Sequence, residues 1–529
     1  MTAPATRLTL TEDNRRWWTL GAMCFALFMV MLDNTVVNVA LPSIQRDLQT
    51  SISGLEWTVN AYTLSFAVLL VTGGRLGDIF GRRKVFLFGV VLFALSSGFI
   101  GLAQSDEWLV AGRAVQGIGA AFMMPATLSI ITNAFPPQER GKAIGTWAGV
   151  SALALAIGPV VGGFLVQNVS WQSIFFLNLP VAAAAVAVTL FATHESRDET
   201  ATHQVDYAGV ATITVGLAAL VLALVEGNSW GWGSPAILSL FAVAAVGLVA
   251  FAIVERRSRE PMVDFAFFRS RSYLGSNVVA FVVSFAMLAM FFFLALYMQN
   301  IKGYTPLQTG VRFLPSTAVI IVVGPIAGRL TDRIGPRPLM TLGLLITGAS
   351  LFWQGHLATD TSYGFLVGAF VLMGLGMGLV MSPMSAAAMN SVAREKAGVA
   401  SGILSMSRMV GGTFGVAAMG ALITGLGRSR LADLLPTLPA AQRDRIAESL
   451  GAGGATDLPE RVRGAAEEAF VSALNSGLRI AALLAVVGAA IAWALIAPGT
   501  AAAAAEPEPA PEGAVAAPGG EPVGEPARA

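Results

Sequence analysis

Long apolar stretches separated by short polar segments run along most of the chain. A helix needs about 20 mostly apolar residues to cross the hydrocarbon of a membrane, and fourteen stretches meet this need. They cover residues 17–40, 54–74, 85–103, 108–134, 141–166, 173–192, 206–226, 236–254, 273–298, 308–328, 339–357, 362–389, 398–426 and 475–497. The pattern predicts an all-α polytopic membrane protein. Because the number of spans is even, both chain ends are predicted to lie on the same side.

Composition narrows the possible functions. Hydrophobic residues make up 55% of the chain and charged residues 12%, about half the charge that a soluble domain carries. A soluble enzyme, a nucleic-acid-binding protein and a disordered protein are therefore excluded. The net charge of +1 gives no basic surface for nucleic acid. With one cysteine and three histidines, we predict no catalytic centre, no metal site and no cofactor.

Basic residues are distributed unequally between the two sides of the predicted bundle. Most of the 33 Lys and Arg residues lie on one side, whereas the short loops opposite carry Arg46 and Lys302, with Arg312 near a helix start. Basic loops favour the cytoplasm, so both termini, 1–16 and 498–529, are predicted to be cytoplasmic. The Ala-, Pro- and Glu-rich tail should be disordered. A long charged loop at about 427–474 is predicted to be extracellular, with an amphipathic helix at 461–474 that leads into the last span or lies on the membrane surface.

An internal repeat divides the chain. The string GRLGDIFGRR at 74–83 recurs as GRLTDRIGPR at 328–337, with six of ten positions identical. GIGAAFMMP at 117–125 is similarly echoed by GLGMGLVMSP at 374–383. Repeats in the same order are typical of transporters built from two homologous halves. We predict an N-terminal six-helix bundle at 17–192, a linker with two inserted spans at 193–260, and a C-terminal six-helix bundle at 261–497.

These strings resemble motifs of the major facilitator superfamily, and specifically of its fourteen-helix drug:proton antiporter family. LDNTVVNVALPSI (32–44) resembles the first-helix motif of that family, and GRLGDIFGRRK (74–84) the loop motif of the superfamily, although Ile79 stands where a basic residue is usual. RAVQGIGAA (113–121), AIGPVVGG (156–163), WQSIFFLNLP (171–180) and YMQNIKGYTPLQTG (297–310) are also similar to family motifs. The resemblance implies the major facilitator fold, two pseudo-symmetric halves and proton-coupled drug export. We expect a monomer in the bilayer.

Two charges lie inside predicted spans. A charge near the bilayer centre costs about 2.5–3.5 kcal/mol even on the lenient insertion scale, so Asp33 and Arg113 must be paired, neutral or hydrated. Desolvation disfavours the charged form of a carboxylate, which would let Asp33 exchange a proton. The alternative is a purely structural ion pair. The resemblance assigns proton transfer to Arg113, for which the alternative is a packing anchor.

Further polar and adaptable side chains are candidates for the cavity wall. Asn34 and Asn38 share a helix face, and Gln116 lies three residues after Arg113. Glu226 could bind cations at the outer mouth, or simply sit at the membrane edge. Arg408 should face a cavity or a carboxylate, and Met290 could give an adaptable apolar wall. The remaining candidates are Trp57, Asn60 and Tyr62 in the second span.

Two glycine-rich motifs are candidates for moving parts. In the first repeated string, Asp78 could accept backbone hydrogen bonds or meet a helix N-terminus across the interface between the halves. Contacts of this kind would close the cytoplasmic gate, with the alternative that the string only sets topology. The proposed gate residues are Gly74, Asp78, Gly81, Arg82, Arg83, Gly328, Asp332 and Gly335. In the fifth span, the small residues allow close helix packing, and the resemblance makes this motif a mark of antiporters. Its members are Gly158, Pro159, Gly162 and Gly163.

The sequence thus predicts a proton-coupled antiporter that exports an amphiphilic drug or antibiotic by alternating access. The alternative is a proton-coupled importer of a small nutrient or peptide. High usage of Ala, Gly and Arg is typical of a GC-rich genome, so we expect the plasma membrane of a bacterium.

Overall fold

The computed structural model describes residues 11–49, 52–199, 206–258, 261–451 and 460–498. These ranges contain helices and no β-strand. The α-helices are α1 (Glu12–Leu48), α2 (Ile52–Phe80), α3 (Arg82–Ile100), α4 (Asp106–Ala134), α5 (Pro137–Asn168), α6 (Ser173–Phe176), α7 (Asn178–Ala192), α8 (Tyr207–Trp230), α9 (Pro235–Arg257), α10 (Arg271–Leu296), α11 (Pro306–Ile334), α12 (Pro336–Gln354), α13 (Tyr363–Asn390), α14 (Ala397–Leu434), α15 (Ala440–Gly451) and α16 (Glu460–Leu495).

Twelve helical segments within the described residues are long and apolar enough to cross a membrane. Two further predicted spans, 141–166 and 339–357, fall on α5 and α12, which are helical but not among the twelve. Both helices start with polar residues, such as Glu139 in α5 and Arg337 in α12. The count of fourteen therefore stays a prediction.

Several helix boundaries differ from the apolar pattern. The predicted long loop at 427–474 is largely helical, because it contains the end of α14, all of α15 and the start of α16. The amphipathic segment 461–474 is part of α16 and runs straight into the last span. The predicted sixth span is interrupted at Leu177, between α6 and α7. The tail from residue 499 onward lies outside the described residues.

Contacts group the long helices into two sets. In the first, α4 packs on α2 and α3, and α1 packs on α5 and α7. In the second, α10 packs on α14 and α16, and α13 packs on α11 and α12. The sets meet where α5 packs along α11 and where α2 packs on α14, while α8 and α9 form a pair whose α8 touches both α2 and α14. The precise limits of the predicted bundles stay predictions.

Side chains are arranged as expected for a protein in lipid. Large apolar side chains such as Phe88, Leu95 and Val246 are exposed on the outside of the bundle, whereas charged side chains including Asp33 and Arg113 are buried inside it. Intramembrane ionisable groups turn toward partners in the bundle interior. The starts of α3, α5 and α14 lie at the same end of the bundle, which we call the basic end.

Candidate functional site

A buried polar cluster surrounds Asp33 in the middle of α1. Arg113 Nη1 lies 2.5 Å from Asp33 Oδ2, and the same nitrogen donates to Gln116 Oε1 at 2.6 Å. The other carboxylate oxygen, Oδ1, accepts from Gln116 Nε2 at 3.0 Å and from Asn178 Nδ2 at 3.1 Å. All four side chains are buried. Helices α1, α4 and α7 are thus joined at one carboxylate.

A second layer of contacts orients this cluster. Arg113 Nε donates to the carbonyl of Thr58 at 3.2 Å, and the guanidinium carbon lies 4.2 Å from the ring centroid of Tyr62. Asn178 Nδ2 also donates to Ser97 Oγ at 2.9 Å. Through these contacts α2 orients the Arg113 side chain, and α3 orients the Asn178 side chain. The donors to Asp33 thus come from α4 and α7, and α2 and α3 hold those donors in place.

The small residues of α5 pack against α1 next to this cluster. A side-chain carbon at Gly158 would collide with Thr35, and one at Gly162 would lie 3.1 Å from the Cα of Val36. Thr35 and Val36 follow Asp33 closely in sequence. The glycines therefore let α5 approach the segment of α1 that carries the buried carboxylate.

The remaining residues of the motif extend this contact toward the second set of helices. A side-chain carbon at Gly163 would lie 4.0 Å from Leu307 Cδ1 at the start of α11. The side chain of Pro159 is outside the described set. Helix α5 therefore lies between α1 of one set and α11 of the other.

The two asparagines after Asp33 donate to the backbone of α1 rather than to the Asp33 carboxylate. Asn34 Nδ2 donates to the carbonyl of Val30 at 3.0 Å, and Asn38 Nδ2 donates to the carbonyl of Asn34 at 2.9 Å. Both amides thus bind the backbone of their own helix. Their role as cavity residues stays a prediction.

The other apolar and cationic candidates also lie apart from Asp33. Met290 is fully buried among the apolar side chains of α10, and Trp57 is half-buried on α2. Arg408 is half-buried on α14, and no ion pair joins it to a carboxylate of the described residues. The structure does not bring these three side chains to the Asp33 cluster.

Glu226 joins α8 to α2. Its Oε1 accepts from Asn60 Nδ2 at 3.3 Å, and its Oε2 accepts from Ser229 Oγ at 2.7 Å. The side chain is 4% exposed. Two residues later, Asn228 packs against Gly420 of α14, where a side-chain carbon would lie 2.6 Å from its Nδ2. The first inserted helix therefore fills the space between α2 and α14 at the end opposite the basic end.

At the basic end, Asp78 binds the start of α14. Its Oδ1 accepts from the backbone N–H of Gly398 at 2.9 Å, and its Oδ2 from that of Val399 at 2.8 Å. A helix N-terminus has unpaired N–H groups and a partial positive charge, both suited to a carboxylate. The backbones are so close that a side chain at Gly74 would collide with the carbonyl of Gly398. We call this the first aspartate contact.

The second repeated string makes the equivalent contact with the start of α5. Asp332 Oδ1 accepts from the backbone N–H of Gly141 at 3.1 Å, and Oδ2 from that of Lys142 at 3.2 Å. A side chain at Gly328 would collide with the carbonyl of Gly141. This is the second aspartate contact. Each set of helices thus contributes one aspartate and one receiving helix start, and both contacts are made, so the basic end is closed.

The two aspartate contacts differ in one residue. Arg82 is buried and donates to Asp78 Oδ1 at 2.6 Å and, across the interface, to the carbonyls of Arg394 at 2.9 Å and Glu395 at 2.5 Å. The matching position in the second string is Pro336, which has no cation to offer. The first contact therefore includes a buried cation that the second does not have.

Both repeated strings turn at a glycine. Gly81 has φ +110° and Gly335 has φ +82°, a region that side chains rarely adopt. After the first turn, Glu195 accepts from the backbone N–H groups of Arg83 at 3.0 Å and Lys84 at 3.2 Å. The linker that leaves α7 is therefore bound to the start of α3.

An ion pair attaches the segment between α9 and α10 to the start of α14. Lys396 Nζ lies 2.7 Å from Asp264 Oδ2, and both side chains are partly exposed. The hydrogen bond from Lys396 holds the pKa of Asp264 below its ordinary value; the backbone N–H of Ala266 adds to this, while partial burial opposes it. Lys396 ends the turn whose carbonyls Arg82 binds.

Sequence reasoning does not find several of these partners. Asn178 lies within the motif WQSIFFLNLP, and an amide in an apolar span is itself a signal because it needs a partner. Ser97, Glu195 and Lys396 are also absent from the predicted site. The sequence gives little sign of Ser97 or Glu195, because their partners are distant in sequence. Ser97 accepts from the Asn178 amide, and Glu195 accepts from backbone N–H groups at the start of α3.

The sequence profile of the Major Facilitator Superfamily matches residues 23–416. The chain belongs to this superfamily. Relatives within it share about a third of their residues with the chain over most of both lengths. The tetracenomycin C resistance and export protein of Streptomyces glaucescens is 36% identical over 494 residues, which is 90% of this chain and 91% of the relative. The puromycin resistance protein pur8 of Streptomyces alboniger is 39% identical over 438 residues, 82% of this chain and 86% of the relative.

Solved structures agree with the superfamily fold. The proton:xylose symporter XylE aligns with a TM-score of 0.63 and 13% identity, covering 93% of this chain and 98% of the symporter. The human organic anion transporter MFSD10 aligns with a TM-score of 0.57 and 14% identity, covering 90% of this chain and all of that chain. At these identities the likeness concerns the fold alone.

Proposed function

We propose that this superfamily member is a proton-coupled antiporter that exports hydrophobic or cationic drugs or antibiotics from the cytoplasm by alternating access. The observation that carries the proposal is the buried carboxylate of Asp33, held by Arg113, Gln116 and Asn178 where α1, α4 and α7 meet. The resistance and export relatives support the substrate class. We place the protein in the plasma membrane of a bacterium, with fourteen spans and both termini in the cytoplasm.

In this mechanism Asp33 is the proton site. While Asp33 is ionised, it binds the Arg113 guanidinium and accepts two amide N–H groups. Protonation from the outside removes the charge that holds Arg113, and a carboxylic acid needs fewer donors than a carboxylate does. The helices that carry those donors can then shift against α1. A cationic drug and a proton compete for the same carboxylate, so that proton entry favours drug release.

The two aspartate contacts act as the cytoplasmic gate. They are made in the present conformation, in which the basic end is closed. To admit a substrate from the cytoplasm, α2 must separate from α14 and α5 from α11. Asp78 and Asp332 then exchange helix N–H groups for water, so neither state leaves a carboxylate buried without partners. Helix α5 connects this gate to Asp33 because it contacts α1 through Gly158 and Gly162.

The test compares dye export by the wild type and by Asp33→Asn. Exporter-deficient cells are energised and loaded with ethidium, and the fall in fluorescence is followed with and without a protonophore. We expect efflux that the protonophore abolishes and that Asp33→Asn loses. Asn168→Ala is the matched control, since the Asn168 amide at the end of α5 donates to the Phe164 carbonyl of its own helix.

Two outcomes would count against the proposal. Wild-type efflux by Asp33→Asn that still collapses with the protonophore would place the proton site elsewhere. Efflux that is unchanged by the protonophore would show that export is not coupled to protons. Asp33→Asn leaves Arg113 buried and unpaired, which can cost about 3–5 kcal/mol of stability. The double variant Asp33→Asn with Arg113→Gln, measured at equal membrane abundance, separates loss of coupling from loss of folding.

A further inference from the structure

The two inserted helices carry a pair of carboxyl groups that the transport mechanism does not use. Asp206 caps the start of α8 by accepting from the backbone N–H of Gly209 at 2.8 Å through Oδ1. Glu255, near the end of α9, is 3% exposed and accepts from the backbone N–H of Val263 at 3.0 Å through Oε2. Each carboxyl group therefore uses one oxygen to hold a backbone segment at the basic end.

The other oxygen of each group is buried without a hydrogen-bond partner. These atoms are Asp206 Oδ2 and Glu255 Oε1. They face the same small space beside Gly209, where a side-chain carbon would lie 3.1 Å from the first and 2.5 Å from the second. A buried polar atom without a partner is unfavourable by about 1–3 kcal/mol, and two facing carboxylates also repel each other.

No basic side chain relieves this repulsion by direct contact. Among the described residues, neither Asp206 nor Glu255 forms an ion pair, and Arg75 of α2 acts on Glu255 only at longer range. The nearby Lys396 is bound to Asp264. A proton bound by one of the two groups removes one of the two negative charges and gives a buried oxygen a hydrogen to donate.

We propose that Asp206 and Glu255 share one proton, held between Asp206 Oδ2 and Glu255 Oε1, and that this proton fastens the basic ends of α8 and α9 together. The proton leaves as the pH rises, after which the two carboxylates repel each other. This inference is independent of the proposed substrate and of Asp33. It describes a second protonation site, on the part of the chain that lies between the two homologous halves.

The pair is connected to the cytoplasmic gate by a short series of contacts. Glu255 holds the backbone of Val263, and the next residue, Asp264, binds Lys396. The turn that ends at Lys396 supplies the carbonyls that Arg82 binds. Loss of the shared proton should therefore loosen the segment 262–264 beside the first aspartate contact.

Thermal unfolding of the purified full-length protein tests the proposal. A group that binds a proton more tightly when folded stabilises the protein at low pH, and this stability is lost as the pH rises. From about pH 5 up to the pH at which the folded pair releases its proton, we expect the wild-type midpoint to fall by roughly 1 °C per pH unit and then to level off. We call this the alkaline fall. In Glu255→Gln and in Asp206→Asn an amide N–H replaces the shared proton, so the alkaline fall should be much smaller. Asn is as good a helix cap as Asp, which makes Asp206→Asn a mild change.

Asp264→Asn is the matched control. It removes a neighbouring carboxylate and the ion pair with Lys396, and it leaves the carboxyl pair intact. Because the pKa of Asp264 is held below its ordinary value, its contribution is lost only on the acid side, and the alkaline fall should persist in this variant. An alkaline fall in both Glu255→Gln and Asp206→Asn as steep as in the wild type would overturn the proposal.

An infrared difference spectrum gives a direct readout. Wild type minus Glu255→Gln should show the C=O stretch of a protonated carboxyl group near neutral pH, and this band should disappear at high pH. A purely structural role of Glu255 as an ionised cap would give no such band. Its absence at neutral pH would overturn the shared proton even if the variants differ in stability.

Discussion

At the scale of single residues, Asp33 depends on a small and well-defined set of donors. Arg113 supplies a positive charge next to Oδ2. Gln116 and Asn178 donate N–H groups to the other carboxylate oxygen, Oδ1. Hydrogen bonds to a charged group are worth about 1.5–3 kcal/mol each. Each donor thus contributes a measurable share to holding this buried carboxyl group in position.

Asn178→Ala should reduce transport strongly. It removes a donor to Asp33 and the connection to Ser97 of α3, so we expect roughly a tenfold loss of proton-driven export. Drug-induced proton movement in proteoliposomes measures this loss. Asn133→Ala is the control because the Asn133 amide of α4 donates to the Ser129 carbonyl of its own helix at 2.9 Å. Equal losses in both variants would show that Asn178 has no special place at the site.

At the scale of helices, the two sets approach each other backbone to backbone at paired glycines. Gly74 lies against Gly398, and Gly141 against Gly328. Close approach of this kind gives many van der Waals contacts and needs no bulky side chain to rearrange when the surfaces separate. The aspartate contacts make the pairing of the two sets specific, because each carboxylate binds the start of one particular helix.

Gly74→Ala should shift the protein toward the form that is open at the basic end. The added methyl group collides with the Gly398 carbonyl, and overpacking of this kind costs about 1–3 kcal/mol. We expect a cysteine at Ser382, a buried residue beside the second aspartate contact, to react roughly tenfold faster with a thiol reagent in membranes. Gly425→Ala, where nothing lies within 4 Å, should leave this rate unchanged. An unchanged rate in Gly74→Ala would mean that the contact yields locally without opening.

The helical architecture, the repeat and the buried charges could be predicted from the sequence, because hydropathy and local motifs carry this information. The contact between Asn178 and Asp33 could not, since it depends on how α7 follows the break at Leu177. Helical spacing shows that Asn34 and Asn38 share a face, but not that both amides donate to their own backbone. Asp78 could be expected at a helix start, but that the start belongs to α14 depends on packing between the two sets.

At the scale of the whole molecule, α8 contacts both sets of helices. Near one end Asn60 binds Glu226, and Asn228 packs on Gly420. Near the other, the linkers bind the starts of α3 and α14 through Glu195 and Asp264. When the two halves move, α8 and the segments that flank the α8–α9 pair must therefore adjust to both of them.

Labelling of single cysteines should establish whether α5 and α12 cross the membrane. With 19 residues, α12 is about 28 Å long, close to the thickness of the hydrocarbon core. In a chain with Cys24 replaced by Ala, we expect an impermeant thiol reagent to label cysteines at Asn168 and His356 in intact cells. A cysteine at Lys84 should react only after permeabilisation. Protection of either of the first two positions in intact cells would contradict the crossing of the helix that precedes it.

The paired close approaches also restrict how the halves can evolve. A side chain added at Gly398 would collide with Gly74, which lies more than three hundred positions away in the sequence. Gly141 and Gly328 restrict each other in the same way, although they are closer in sequence. Because each contact draws one member from either half, neither half can drift alone. In a chimera with a relative, an exchanged N-terminal half must therefore bring a matching α14 start with it.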